Sequence, residues 1–333
     1  MASIANETEG VTAWPGGIMQ VKIPLPFSLK WVNSYLVPDE GGYTLIDPGL
    51  RTEESEAAWA RTMEAIGIRF ADIRQIVLTH QHPDHYGLAG WFQQRTGAPV
   101  RMSRQSHAYA RRLWGDDRAF NGELIGLFAR HGMPEPLREA VASHLESFAE
   151  RVSPQPEVTY LEAGARLRMG GAEWVAIDAP GHARGQLCLY AEEAGWMICG
   201  DQVLPDITPN ISVVPGEDAD PLARFLDSLA ELGAYEVKLA FPGHRDPFAD
   251  FGGRIQAIAA HHERRLVRIE ELAASGTQTG YAICEALFGP RIAGNAHNLR
   301  FAMAETLAHL VYLERSGRLV AAESAGGLRY LPV

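Results

Sequence analysis

Thr79-His80-Gln81-His82-Pro83-Asp84-His85 follows directly on Ile73-Arg74-Gln75-Ile76-Val77-Leu78, an apolar, β-branched run that reads as a buried strand. Four of those seven side chains, His80, His82, Asp84 and His85, can bind a metal. Packing does not explain them. Buried imidazoles and carboxylates need partners, and crowding four together is costly unless a cation holds them. Borderline-soft divalent metals, zinc above all, favour this mixture of nitrogen and oxygen donors.

Three further stretches share the grammar of an apolar strand that ends in a ligand-bearing turn. They are Val175-Ala176-Ile177-Asp178-Ala179-Pro180-Gly181-His182, Trp196-Met197-Ile198-Cys199-Gly200-Asp201 and Leu239-Ala240-Phe241-Pro242-Gly243-His244. A glycine beside each ligand permits backbone geometry that other residues resist, and proline stiffens two of the turns. Loops held at strand ends by a rigid sheet are good places to collect ligands. With the motif at 79–85 they supply five of the twelve histidines and two aspartates.

A chain of 333 residues can bury a full core and carry one large domain plus a smaller one. Its 46% apolar and 21% charged content suits a soluble globular enzyme. The amino terminus lacks a cationic start with an apolar core, and no run approaches the ~18 apolar residues of a membrane span, so a cytoplasmic protein is expected. Cys188, Cys199 and Cys284 show no paired spacing, and buried free thiols are the expected reading.

The net charge of −11 is uneven: residues 255–333 hold eight arginines and seven glutamates, for +1, which leaves −12 on the first 254. Neither part has the positive excess of a nucleic-acid binder.

Strands with tight turns are expected over 18–21, 32–37 and 43–47, then a helix over 52–66 with Thr52 as cap and Gly67 as stop. After the motif strand, one helix is expected from about Asp84 to Gly97, and a short strand over 99–102. Residues 104–150, rich in Ala, Arg, Leu and Glu and interrupted at Gly132-Met133-Pro134, read as a solvated helical lid. Strands resume over 158–204, a helix over 220–232, and a strand near 237–241. A boundary is expected near Phe251-Gly252-Gly253, followed by a long helix over 254–275, two more helices and a β-hairpin.

The ordered motifs resemble the metallo-β-lactamase superfamily, in its glyoxalase II-like branch, over about residues 18–250. The resemblance implies an α/β fold: a four-layer αβ/βα sandwich of two mixed sheets flanked by helices. It implies a catalytic domain over 15–253 with the helical insertion at about 104–150, and a small winged-helix-like carboxy-terminal domain over 254–333. It implies two divalent metal ions, zinc first, with iron or manganese as alternatives. His80, His82 and His182 would hold one ion, Asp84, His85 and His244 the other, and Asp201 would bridge them. Asp47, in Leu45-Ile46-Asp47-Pro48-Gly49, matches a carboxylate that orients a ligand histidine. Asp84 would also manage the proton of the attacking water. The tail and the stretch Gly200–Asn210 resemble the beta-lactamase-like protein 2 group, which includes an endoribonuclease and fungal acyl-carrier thioesterases.

Two such ions would share a hydroxide and polarise a carbonyl or phosphoryl oxygen. A hydrolase for a small ester, thioester or lactone is therefore expected, with a small-molecule acyl substrate. The alternatives are a phosphodiesterase or endoribonuclease on single-stranded RNA, a β-lactam hydrolase, and a non-enzymatic binding role for the tail. The charge disfavours nucleic acid, no membrane partner is expected, and the apolar tail suits a homodimer. Tyr86, next to His85, is a candidate substrate contact, against packing beneath the site. His107, His131 and His144 are expected on the lid surface, His261 and His262 on a solvated helix face, and His297 and His309 in structural positions.

Overall fold

The computed structural model of the protein describes residues 7–8, 10–115, 119–324 and 326–333. The first sheet keeps sequence order: β1 (Glu7–Thr8), β2 (Val11–Ala13), β3 (Met19–Pro24), β4 (Trp31–Asp39), β5 (Gly42–Ile46), β6 (Ile73–Val77), β7 (Val100–Met102) and β8 (Val158–Tyr160). Its first five strands pair antiparallel and its last four parallel. The two-residue turn Glu40-Gly41 closes the β4–β5 hairpin, with Gly41 at φ +73°. The second sheet runs in the order β13 (Leu239–Pro242), β12 (Trp196–Gly200), β11 (Leu187–Ala191), β10 (Ala172–Asp178), β9 (Arg166–Met169). Only its β12–β13 pair is parallel.

The inner faces of the two sheets meet through Tyr35, Val37, Ile46 and Val77 on one side and Trp174, Leu189, Ile198 and Phe241 on the other. Outside the first sheet lie α1 (Glu53–Ile66), the single turn α2 (Pro83–Tyr86) and α3 (Ala89–Thr96); Trp59 and Phe92 meet edge to face. The insertion forms α4 (Arg104–Trp114), α5 (Ala119–Arg130) and α6 (Glu135–Glu146). Outside the second sheet lie α7 (Pro221–Leu232), α8 (Phe251–Ala274), α9 (Gly280–Phe288) and α10 (Ala296–Arg315), closed by the hairpin of β14 (Leu319–Ala322) and β15 (Arg329–Pro332). This is the four-layer α/β sandwich expected.

The tail does not fold around a core of its own. Leu299, Met303 and Leu307 of α10 share one apolar cluster with Leu222 and Phe225 of α7 and with Leu124 and Phe128 of the insertion. The inner face of the insertion is thus core, where the sequence suggested a solvated lid.

Local chemistry explains where the elements start and stop. Thr52 Oγ1 accepts from Ser55 N at 3.0 Å, and Gly67 ends α1 in the left-handed region. The single helix expected from Asp84 to Gly97 is instead two. Leu88 N donates to Gly49 O at 2.8 Å rather than up its own helix, and a Cβ at Gly87 would sit 2.6 Å from Arg151 O. Phe251-Gly252-Gly253, near which a boundary is expected, forms the first turn of α8, and Asp250 Oδ1 accepts from Gly253 N. Residues 116–118 of the insertion lie outside the described residues.

All three cysteines are free and buried, and among the described residues no helix is long and apolar enough to cross a membrane. Replacing Thr52 with alanine should cost about 1 kcal/mol of stability, read as a lower urea midpoint with an unchanged slope. No shift in midpoint would show that α1 is held by packing alone.

Candidate metal centre

Strands β5, β6, β10, β12 and β13 all end at the same edge of the sandwich, and each hands the chain to a loop carrying a functional side chain. Leu187 N donates to Thr79 O at 3.0 Å and Asn33 N to Gly243 O at 2.7 Å, which stitches the two sheets together at that edge. A Cβ at Gly243 would collide with Asp201 Oδ1 and lie 2.6 Å from His85 Cε1. The glycine before His244 is therefore a requirement of space.

Asp47 sits at the end of β5 with φ +47°, a conformation that is uncommon outside glycine and is concentrated at functional sites. Its Oδ1 accepts from Thr79 N at 2.8 Å, and its Oδ2 from Thr79 Oγ1 at 2.6 Å and from His85 Nδ1 at 3.0 Å. Because Thr79 Oγ1 donates to Asp47, it accepts from His80 Nδ1 at 2.9 Å. His182 Nδ1 donates to Asn210 O at 2.9 Å, and His244 Nδ1 to Trp31 O at 3.1 Å. Four imidazoles are thereby fixed with Nδ1 protonated and Nε2 turned inward.

The inward atoms form two adjoining groups. In the first, His82 Nδ1 lies 3.0 Å from His80 Nε2 and 2.9 Å from His182 Nε2. One proton on His82 Nδ1 can serve only one of those two neighbours, so at least one pair of nitrogen lone pairs is left facing another without a cation. In the second, Asp84 Oδ2 lies 3.2 Å from His244 Nε2 and 3.9 Å from His85 Nε2. Asp201 Oδ2 stands between the groups, 3.6 Å from His182 Nε2 and 3.4 Å from both His85 Nε2 and His244 Nε2. His85 Nε2 and Asp201 Oδ1 are buried with no hydrogen-bond partner. All seven side chains, contributed by four separate stretches, thus converge.

Burial, reinforced by the neighbouring imidazoles, holds His80 well below its usual range and pushes His82 down to about 3. These rings are neutral and ready to donate lone pairs. In the second group burial is overcome by the carboxylates: Asp201 and Asp84 raise His85, and raise His244 to about 10. Burial works against the charge of Asp84 and Asp201 too, yet His85 and His244 hold both carboxylates ionised. Concentrated lone pairs on one side and two carboxylates on the other are the donor set of a divalent cation site.

Other expectations move. Tyr86 packs beneath the site: its ring is fully buried and its hydroxyl donates to Gln155 Oε1 at 2.7 Å, away from the cavity. His131 is buried against Tyr330, and His262 is buried with its Nδ1 3.0 Å from His309 Nε2; neither is on a solvated face. His297, expected to be structural, stacks on Phe27 and lines the cavity over the site.

That cavity, of about 270 Å³, is walled by Asp84, His182, Asp201 and His244 at its floor. Leu113 and Trp114 of α4, Phe120 of α5 and Leu145 of α6 form one side, and His297, Arg300 and Phe301 of α10 another. The tail also reaches a floor histidine. Arg265 pairs with Glu305, whose Oε2 accepts from Asn210 Nδ2 at 2.8 Å, and Asn210 O receives the His182 proton.

The model of the metallo-beta-lactamase superfamily matches residues 32–244, and that of the metallo-beta-lactamase-like C-terminal domain matches 266–333. The chain belongs to the metallo-beta-lactamase superfamily. A metallo-beta-lactamase family protein from Thermus thermophilus is 33% identical, with a TM-score of 0.85 over 95% of this chain and 99% of that one. A probable metallo-hydrolase, YqjP, of Bacillus subtilis is 28% identical over 89% of this chain and 92% of its own length. The atrochrysone carboxyl ACP thioesterase AacuM of Aspergillus aculeatus is 22% identical over 72% of this chain and 58% of its own. The His/Asp clusters fit the divalent metal site that the superfamily uses.

We expect Asp47→Asn to weaken zinc uptake about 10–100-fold, since an amide cannot accept at both positions from Thr79 and His85. Competition with a chromophoric chelator measures it. Unchanged affinity would reduce Asp47 to a turn residue.

Proposed function

We propose that the protein is a dinuclear metal-dependent hydrolase of small esters, thioesters or lactones. His80, His82 and His182 hold one ion, Asp84, His85 and His244 the second, and Asp201 lies between. Zinc suits this donor set best, with iron and manganese as alternatives. When bound, the ions supply Lewis-acid polarisation of the scissile carbonyl and acidify a water toward neutral pKa.

The observation that carries the acyl reading is the cavity itself. Asp84 and Asp201 open onto a floor beneath a wall of leucines and aromatic rings from α4, α5, α6 and α10, about 270 Å³ in volume. That volume suits a small, largely apolar acyl group. The insertion and tail wall the cavity above the floor, and a bound acyl group that displaced water there would strengthen every charge interaction at the floor. Asp84 Oδ2, which opens onto the cavity, would accept the proton of the attacking water. The Glu305–Asn210–His182 chain fixes one floor imidazole from the tail.

The tail, with three helices followed by a hairpin, is read as a winged-helix-like unit serving as a cavity wall. The relative named as an acyl-carrier thioesterase supports carbonyl chemistry at a related site.

A panel of acyl-CoA thioesters, lactones, a β-lactam, bis(p-nitrophenyl) phosphate and single-stranded RNA tests this reading with zinc- or manganese-loaded protein. Carbonyl substrates should turn over, and His82→Ala or Asp84→Ala should lower kcat/KM by about 10²–10⁴-fold. Phosphodiester cleavage with silent carbonyl substrates would overturn it.

A further inference from the structure

The cavity holds one fixed cation besides its metal-ligand floor. Among the described lining residues Arg300, in the second turn of α10, is the only lysine or arginine. Its guanidinium lies over the Phe301 ring at 4.0 Å, and its buried Nε has no hydrogen-bond partner. No hydrogen bond or ion pair joins its side chain to any described residue. Arg265 of α8 is by contrast neutralised by Glu305. Asp84, whose charge Arg300 feels, is already engaged by His244 and His85.

Arg300 is half-buried, and a partly desolvated guanidinium beside an apolar cavity is costly unless an opposite charge and acceptors meet its hydrogens. The contact with the Phe301 ring accommodates the cation but gives its N–H donors no acceptor. Burial lowers Arg300 to about 10, so it keeps its charge at neutral pH. The carboxyl of Glu217, also on the cavity wall, is pushed by desolvation and then by Asp218 up to about 8, so it does not repel an anion there below that pH.

We propose that Arg300 is the binding site for an anionic oxygen group, a carboxylate or a phosphate, carried by the substrate some atoms away from the carbonyl that is cleaved. The proposal rests on the acyl-hydrolase reading and narrows it: the substrate is an amphiphile with an apolar body spanning the cavity. One end lies on the metal floor and the charged end on the planar fork of Arg300, a geometry suited to two parallel hydrogen bonds. The tail thereby sets substrate choice, since Arg300, His297 and Phe301 all come from α10.

Two measurements on the metal-loaded protein test it. In the first, p-nitrophenyl hexanoate is compared with mono-p-nitrophenyl adipate, of equal chain length but ending in carboxylate, and with the p-nitrophenyl ester of 5-(phosphonooxy)pentanoate. Wild-type kcat/KM should favour an anionic ester over the neutral one by about 10–100-fold, the range of hydrogen bonds to a charged group. Arg300→Met should abolish that preference through KM while leaving the neutral ester within about twofold, and Arg300→Lys should keep part of it. The better of the two anions identifies carboxylate or phosphate as the source.

In the second, calorimetric titration compares adipamate, neutral hexanamide and 5-(phosphonooxy)pentanamide, with the same ratios expected to collapse in Arg300→Met. Calorimetry needs no turnover. If no ester is hydrolysed but the binding ratio holds, the acyl-hydrolase reading fails and the anion site stands. Equal wild-type handling of charged and neutral compounds in both measurements overturns the proposal, and this result requires no variant. Equal loss on charged and neutral compounds in Arg300→Met, with metal content and melting temperature unchanged, overturns it as well.

Discussion

Unshared lone pairs and negative charge, forced together where two sheets end, are the constraint on which the rest of the molecule depends. His80, His82 and His182 bring three imidazole nitrogens within hydrogen-bonding distance with too few protons to satisfy them. Asp84 of the same motif and Asp201 from the loop after β12 add two carboxylates. Such an assembly is tolerable only around cations. Much of the surrounding structure orients it: Asp47 in a strained backbone conformation, Thr79 relaying from Asp47 to His80, and the carbonyls of Asn210 and Trp31 holding the remaining rings.

The carboxy-terminal helices belong to this arrangement more closely than their place in the chain suggests. They share an apolar core with α7 and the insertion, they brace Asn210 through Glu305, and they bring His297, Arg300 and Phe301 to the cavity. Their near-neutral charge follows from that role: apart from Arg300 the inner face is packed, and Arg265 and Arg318 are spent on Glu305, Glu263 and Glu270.

What the sequence made legible was whatever depends on local chemistry. A β-branched run followed by the motif at 79–85, with glycine beside His182, Asp201 and His244, marked the converging loops; Thr52 and Gly67 marked both ends of α1. The rest depends on contacts far apart in sequence. Nothing near Leu88 announces that Gly49 will take its amide and split a helix. His262 sits beside arginines in sequence and yet faces His309 across the core. Tyr86 is adjacent to a site histidine, but on a one-turn helix that adjacency sends its ring to the opposite side, toward Gln155. Arg300 and Asn210 carried no motif that pointed to a cavity wall or to a carbonyl that holds the His182 ring.

The most direct test of the cation pair is anomalous scattering from crystals of the metal-loaded protein, recorded on both sides of the metal absorption edge. Two peaks about 3.5–4 Å apart are expected, one among His80, His82 and His182, the other among Asp84, His85 and His244, with an Asp201 oxygen between them. A single peak, or none within reach of Asp201, would contradict a dinuclear centre.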